Sequence, residues 1–138
     1  MTTSEIIYTF DLTHLDWAEL KAVLLADDFD NGRTLEQYKT SFENSFAACI
    51  AYDGEKIIGN ARVLSDGVCN AYIVDVWTHS AYRRRGIASQ MMKLCLEKLR
   101  GQHVYLFTDD RADFYRTLGF NEQETGMGMV VGKWLVNE

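Results

Sequence analysis

Residues 76–89, with the sequence VWTHSAYRRRGIAS, join a strand-like segment to a helix-like segment through a short basic turn. The segment Ala71–Thr78 before the turn is rich in apolar, β-branched and aromatic residues, which is typical of a strand. After the turn, apolar residues recur at helical spacing: Ile87, Met91, Leu94, Cys95 and Leu99. Gly86 is therefore predicted to lie at a helix N-terminus, where backbone N–H groups lack partners and the helix dipole is positive. Such a terminus is a natural binding site for a phosphate.

The basic turn matches neither of two common phosphate fingerprints, because the chain contains no G-x-x-x-x-G-K-[ST] and no G-x-G-x-x-G. It reads instead Arg83-x-x-Gly86-x-Ala88. This pattern, between a predicted strand and an amphipathic helix, resembles the pyrophosphate loop of the GNAT superfamily of acyl-CoA-dependent N-acyltransferases. Asp113–Phe120, with the sequence DFYRTLGF, lies one predicted strand later and is similar to the family's F-Y-x-x-L-G-F motif. The resemblance in element order extends over nearly the whole chain.

The hydrophobic pattern predicts a series of strands and helices along the chain. The predicted strands are Ile6–Phe10, Ala47–Tyr52, Lys56–Leu64, Asn70–Thr78, Val104–Thr108 and Met127–Leu135. The first predicted helix is capped by Thr13 or Asp16 and runs to about Leu25. The next two run from Leu35 to about Ser45 and from Gly86 to Leu99. A short fourth helix, capped by Asp109 or Asp110, carries Phe114, Tyr115 and Leu118. Thr34 and Gln37 have the form of a capping box before the second helix.

The connections between these elements predict the fold class. Turns at residues 53–55 and 65–67 join three consecutive strands into an antiparallel meander. The strand, helix, strand order that follows implies a right-handed parallel crossover. Residues 1–138 are thus predicted to form a single α/β (α+β) domain, with a mostly antiparallel sheet, one parallel pair and about four helices. The GNAT resemblance implies that the parallel pair splays apart and that the pantetheine arm of CoA lies in the opening.

Composition excludes several classes of protein. The formal net charge of −6 argues against non-specific nucleic-acid binding, which requires a basic surface. No apolar run approaches the roughly 20 residues that span a bilayer, and the N-terminal sequence lacks a signal-peptide pattern. Cys49, Cys69 and Cys95 are odd in number and form no C-x-x-C, which is typical of a reducing cytosol. We therefore expect a cytoplasmic protein that binds neither membrane nor nucleic acid.

The resemblance implies that acetyl-CoA is the co-substrate and assigns residues to it. Backbone N–H groups of residues 84–89 would hold the pyrophosphate, and the main chain of residues 76–78 would bind the pantetheine and the thioester carbonyl. The residues implied in cofactor binding are Val76, Trp77, Thr78, Arg83, Arg84, Arg85, Gly86, Ile87, Ala88 and Ser89. The alternative for the three arginines is a solvated basic turn. Ser80 stands where the family frequently has proline, and serine also suits a turn.

Two residues are candidates for catalysis. Tyr115 matches the family's usual general acid, since a tyrosine keeps its proton at neutral pH and can donate it to a thiolate; the alternative is a core aromatic residue. Asp75 is the carboxylate within the strand before the loop, and an acid in an apolar strand requires a partner or a function. It is either a base that receives a cationic amine or a structural hydrogen-bond acceptor. His79 lies near the loop, and a role in the turn is favoured for it.

The leading functional prediction is an acetyl-CoA-dependent N-acetyltransferase that acts on the primary amine of a small molecule by direct attack. One alternative is a non-catalytic module that senses acyl-CoA, which would need the loop but not Tyr115. Another alternative is a protein or peptide N-acetyltransferase. The sequence leaves open whether the chain forms a homodimer. The sequence contains no spacing typical of metal ligands, so no metal is predicted.

Overall fold

The computed structural model describes residues 5–137, which fall into two compact units that divide between Phe107 and Thr108. The first unit contains five strands: β1 (Ile6–Thr9), β2 (Ala47–Asp53), β3 (Lys56–Ser65), β4 (Asn70–Thr78) and β5 (His103–Tyr105). Its helices are α1 (Trp17–Ala26), α2 (Leu35–Glu43) and α3 (Ile87–Glu97), and a 3-10 turn covers Ser80–Tyr82. The second unit contains helix α4 (Ala112–Thr117).

The strands form one sheet in the order β1-β2-β3-β4-β5. The pairs β1–β2, β2–β3 and β3–β4 are antiparallel, and β4–β5 is parallel. The predicted fold class, a mostly antiparallel sheet with one parallel pair and about four helices, is confirmed. The parallel pairing joins only Asn70–Tyr72 to His103–Tyr105. Within the described residues, the rest of β4 has no strand beside it on that edge.

Local sequence signals set the starts of the helices. Asp16 Oδ1 accepts a hydrogen bond from the backbone N–H of Glu19 at 3.1 Å, and α1 begins directly after it. The predicted capping box of α2 is present, because Thr34 and Gln37 each bond the other's backbone N–H. The short helix α4 is present as predicted, but its predicted cap was wrong: the N-cap is Arg111 and neither Asp109 nor Asp110.

The core of the first unit lies on both faces of the sheet. Helices α1 and α2 cover one face, where the buried cluster consists of Leu15, Leu20, Leu24, Tyr38, Phe42, Ala48, Ile50, Ile57 and Trp77. Helix α3 packs against β2, β3 and β4 and buries Met91 and Cys95. Burial raises the pKa of the Cys49 and Cys95 thiols to about 12. Both thiols are therefore protonated core residues at neutral pH, as their apolar sequence context predicts.

The predicted last strand, Met127–Leu135, was wrong. Within the described residues no strand follows β5, and residues 121–137 form turns and irregular backbone. Met127, Met129 and Val131 alternate as strand residues do, yet they are 87%, 83% and 83% exposed. Gly132 has φ 70, which an extended strand does not allow. Strand β5 is also shorter than the predicted Val104–Thr108. Among residues 5–137, no helix has the length and apolar character needed to cross a membrane.

Candidate active site

The basic loop has the backbone of an anion-binding turn. Arg84 and Gly86 both have left-handed backbone, with φ 64 and φ 76. An alternation of backbone handedness turns successive N–H groups towards one side and forms a concave anion site. Gly86 is the N-cap of α3 and supplies no side-chain hydrogen bond. Within the described residues, no cap side chain bonds the first N–H groups of α3, and N–H groups at a helix start fit a pyrophosphate.

The loop side chains add positive charge to this turn. Arg83, Arg84 and Arg85 are all exposed. Within the described residues, none of them forms an ion pair, and the Arg85 guanidinium lies 5.1 Å from the centre of the Tyr82 ring. Unpaired arginines are uncommon neighbours for a helix N-terminus, because the dipole there favours negative charge. Their position on a chain of net charge −6 therefore supports an anionic ligand.

The 3-10 turn before the loop is hydrogen-bonded at both ends. Asp27, at the C-terminal end of α1, accepts bonds from Trp77 Nε1 at 2.9 Å, from the backbone N–H of Ser80 at 3.0 Å and from Ser80 Oγ at 2.5 Å. At the other end, Tyr82 Oη donates to Asp53 Oδ2 at 2.5 Å. Ser80 does suit a turn, as predicted. Sequence reasoning missed Asp27, since nothing local links it to residues about fifty positions later.

Opposing influences act on the pKa of Asp27. Burial, the largest single influence, raises the pKa, but the hydrogen bonds from Ser80 and Trp77 together lower it below the ordinary value of 3.8. The pKa of Asp30 is lowered in the same way, because burial is outweighed by the bonds from Tyr38, Gly32 and Lys21. Both carboxyl groups therefore stay ionised in the folded protein at lower pH than in the unfolded chain.

These lowered pKa values predict acid sensitivity. A carboxyl group with a lowered folded pKa stabilises the fold above its unfolded pKa, and this contribution is lost as pH falls through the folded pKa. We expect the free energy of unfolding to be level above pH 5 and to fall from about pH 4 downwards. Urea unfolding at a series of pH values measures this. The Asp27→Asn variant should lose less stability over the same range, and an equally steep loss would contradict the assignment.

Strand β4 carries the residues predicted to bind the pantetheine. Thr78 pairs with Gly59 and Trp77 with Asn60 in the antiparallel ladder, so the opposite edge of this part of β4 stays open within the described residues. The hydroxyl of Thr78 is buried and has no hydrogen-bond partner among residues 5–137. An open row of backbone N–H and C=O groups can receive an amide-containing ligand. The residues present therefore fit an extended arm such as that of CoA.

Asp75 lies in an irregularity of β4. The register passes from Asn60 opposite Trp77 to Arg62 opposite Val74, so two residues of β4 face one of β3. Asp75 itself has left-handed backbone, with φ 56. The Asn60 side chain donates to the Asp75 carbonyl oxygen at 2.6 Å. This bulge interrupts the regular alternation of side chains three residues beyond Tyr72, where the parallel pairing with β5 ends.

The Asp75 carboxylate is held by a pair of arginines. Its Oδ2 atom accepts bonds from Arg33 Nη2 at 2.9 Å and from Arg62 Nε at 2.8 Å. The three side chains are only 7%, 12% and 12% exposed, for Arg33, Arg62 and Asp75 respectively. Arg33 also bonds Ser41 Oγ and lies 4.3 Å from the centre of the Tyr38 ring. Asp75 thus ties the segment before α2 to the sheet, which supports the structural alternative.

Tyr115 belongs to the second unit. It lies on α4, is 9% exposed, and packs edge-on against Phe114 and Phe120, with ring centres 5.0 Å and 6.0 Å away. Gly119 has φ 99 and follows the end of the helix, as the motif predicts. Burial raises the pKa of Tyr115, and the positive charge of Arg111 opposes this only in part.

The structure brings most of the predicted site residues together along one continuous segment of the first unit. Asp75 and residues 76–78 end β4, and residues 83–89 form the loop and the start of α3. His79 belongs to the turn, since its Nδ1 accepts a bond from the Ala81 N–H at 3.1 Å. Among residues 5–137 there is no group of three or more histidine, cysteine, aspartate or glutamate side chains that could hold a metal ion.

Known proteins resemble this chain in sequence and in fold. An uncharacterized N-acetyltransferase from Gracilaria tenuistipitata var. liui is 33% identical over 103 residues, which are 69% of this chain and only 57% of that protein. An uncharacterized ycf52-like N-acetyltransferase from Prochlorococcus marinus is 28% identical over 130 residues, which are 86% of this chain and 72% of that protein. The structure of a GNAT-family acetyltransferase from Streptococcus pneumoniae covers 95% of this chain and 100% of its own, with a TM-score of 0.76 and 24% identity. The model of the acetyltransferase (GNAT) family matches residues 10–120, and the chain belongs to that family.

Proposed function

We propose that this chain is an N-acetyltransferase that transfers the acetyl group of acetyl-CoA to a primary amine by direct attack. The observation that carries the proposal is the uncapped N-terminus of α3, which follows a loop with left-handed Arg84 and Gly86. This loop follows the open half of β4 directly in the chain. One segment thus offers a site for a pyrophosphate and a site for an extended amide chain.

Different parts of this segment would bind different parts of acetyl-CoA. The backbone N–H groups of Ile87, Ala88 and Ser89 would donate hydrogen bonds to the pyrophosphate, with the loop arginines adding positive charge. The main chain of residues 76–78 would bind the pantetheine and align the thioester carbonyl. Acetyl-CoA supplies the activated acetyl group. The task left to the protein is to hold the amine in line with the carbonyl carbon and to provide a proton for the departing thiolate.

Tyr115 is the proposed proton donor. A phenol donates at neutral pH only if it still carries its proton, and the raised pKa of Tyr115 ensures this. The contacts of Phe114 and Phe120 with the Tyr115 ring fix the direction of the hydroxyl. The proposed step moves the proton from Tyr115 Oη to the thiolate sulfur.

Asp75 is proposed as a positioning residue. Two guanidinium groups and one carboxylate give the group of Arg33, Arg62 and Asp75 a net positive charge, which does not attract an ammonium ion. The amine proton would then leave through ordered water. The acceptor is proposed to be a small-molecule amine, and the free thiols Cys49, Cys69 and Cys95 favour a reducing compartment such as the cytoplasm.

The loop assignment predicts contrasting results at Gly86. A Cβ atom added there would meet nothing within 4 Å, so a side chain has room and only the left-handed backbone is strained. Gly86→Ala should lower the free energy of unfolding by about 1–2 kcal/mol. Gly86→Glu should cost about the same stability, but should also weaken acetyl-CoA binding, because it places a negative charge beside the pyrophosphate. Calorimetric titration and urea unfolding measure both quantities, and equal acetyl-CoA affinity in the two variants would contradict the loop assignment.

Thiol release from acetyl-CoA tests the function itself. The purified protein would be incubated with acetyl-CoA and a panel of polyamines, arylalkylamines, aminoglycosides, amino acids and peptides, and free thiol would be measured. Amine-dependent release with at least one small acceptor supports the proposal. Release with peptides alone would favour a protein N-acetyltransferase. Tight acetyl-CoA binding without any amine-dependent release would favour a sensor of acyl-CoA.

A further inference from the structure

The carboxylate of Asp27 connects α1 to the segment that enters the basic loop. It is half-buried and accepts hydrogen bonds from Trp77 Nε1 and from both the N–H and the hydroxyl of Ser80. Asp27 caps the C-terminal end of α1 through its backbone, and its N–H bonds the carbonyls of Val23 and Leu25. The residue is therefore fixed to the helix by its main chain, while its side chain holds the turn. We name Asp27 and Ser80 the α1 clamp.

The second end of the same turn is held by a different element. Tyr82 Oη donates to Asp53 at the end of β2, and the centre of the Tyr82 ring lies 5.4 Å from Lys56 Nζ and 5.1 Å from the Arg85 guanidinium. The backbone of Tyr82 bonds the carbonyl of His79. The turn Ser80–Tyr82 is thus fixed to the sheet and to α1 at the two ends, directly before Arg83.

We propose that Asp27 is a positioning residue for acetyl-CoA: by holding Ser80, it fixes the turn from which the pyrophosphate loop starts. This inference rests on the proposed function, because it assumes that the loop binds acetyl-CoA. A loop that is ordered before the ligand arrives loses less conformational entropy on binding. The clamp also gives α1 a defined position relative to the loop, so that a shift of this helix would be transmitted to Ser80.

The alternative is that the clamp only stabilises the fold. A carboxylate that accepts backbone N–H bonds in a turn commonly stabilises that turn, whatever the turn does. Asp66 provides the comparison within the same chain, since it accepts N–H bonds from Val68, Cys69 and Asn70 in the turn between β3 and β4. That turn precedes the opposite end of β4 from Thr78. Asp66 therefore makes the same kind of contact away from the loop.

The experiment compares acetyl-CoA binding with stability in matched variants. Ser80→Ala removes one bond to the carboxylate and leaves Asp27 and Trp77 in place, whereas Ser80→Thr keeps the hydroxyl. Hydrogen bonds to charged groups contribute enough that Ser80→Ala should raise the acetyl-CoA dissociation constant roughly tenfold or more, with KM rising and kcat at saturation little changed. Ser80→Thr should restore most of the affinity. Asp66→Ala should lower the melting temperature and leave the affinity unchanged.

The outcomes distinguish failure of the positioning role from failure of the proposed function. If the wild-type protein does not bind acetyl-CoA in calorimetric titration, the proposed function fails. If it binds, and Ser80→Ala binds equally well while its melting temperature falls, the clamp is only structural and the positioning role is overturned. If Ser80→Ala loses affinity, Ser80→Thr regains it and Asp66→Ala keeps it, the positioning role is supported. Asp27→Ala should then lose at least as much acetyl-CoA affinity as Ser80→Ala. The Ser80→Ala result decides the question by itself, so the test does not require the Asp27 variant to fold.

Discussion

Replacement of Tyr115 by phenylalanine is expected to lower turnover by about 10²- to 10⁴-fold, which is the usual contribution of a general acid. The substitution removes the transferable proton but keeps the ring that packs against Phe114 and Phe120. Acetyl-CoA affinity and the melting temperature should therefore stay close to the wild-type values. Turnover is measured by thiol release at saturating acetyl-CoA and amine, under conditions where the chemical step limits the rate.

A second tyrosine serves as the matched control for this result. Tyr105→Phe also removes one hydroxyl, from a residue that is 39% exposed on β5, and should leave turnover unchanged. Undiminished turnover of Tyr115→Phe would show that the hydroxyl is not the proton donor. A large drop in melting temperature would instead indicate that the residue acts mainly in packing.

Replacement of Asp75 by asparagine is expected to lower the free energy of unfolding by about 3–5 kcal/mol, because it leaves two nearly buried guanidinium groups without a counter-charge. The exposed pair Lys39–Glu43 gives the matched control. Glu43→Gln removes the same charge from a pair on the surface of α2 and should cost no more than about 0.5 kcal/mol. Urea unfolding of the three proteins at neutral pH measures the difference.

The same Asp75 variant separates a structural from a catalytic role. If Asp75 only positions its neighbours, the folded fraction of Asp75→Asn should show the wild-type shape of turnover against pH. A base would behave differently, since its loss should flatten the rise of turnover with pH while the stability changes little. A flattened pH profile with little change in stability would support Asp75 as the group that accepts the amine proton.

Local signals explain why the loop could be predicted from sequence. The helical spacing of apolar residues in α3 and the glycine before it place the N-terminus of the helix, and the arginines are adjacent in the chain. The partners of Asp75 could not be found in this way. Arg33 and Arg62 lie 42 and 13 residues from it, and the bulge that turns its side chain has no periodic signature. Long-range ion pairs depend on the tertiary packing, which the local pattern does not contain.

The failure at Met127–Leu135 has a related cause. Alternating apolar residues indicate that a segment can form a strand, but a strand exists only where another backbone satisfies its N–H and C=O groups. The pattern at Lys56–Ser65 looked similar, and there the hairpin turn at Gly54 brings β2 alongside. Short-range turns therefore made the meander predictable, while the last predicted strand had no such neighbour in sequence.

The order of the strands in the sheet also bears on how the chain reaches this structure. Each strand lies beside its neighbour in the sequence, and the pairings β2–β3 and β3–β4 close short turns and lose little chain entropy before contacts form. Proteins whose contacts are close in sequence fold faster than those that must join distant segments. The chain also contains no proline, so slow prolyl isomerisation cannot delay refolding. Two pairings must wait for longer segments: β1 with β2, which have α1 and α2 between them, and β4 with β5, which have α3 between them. The opening beside β4 is therefore defined only after the meander and α3 are in place.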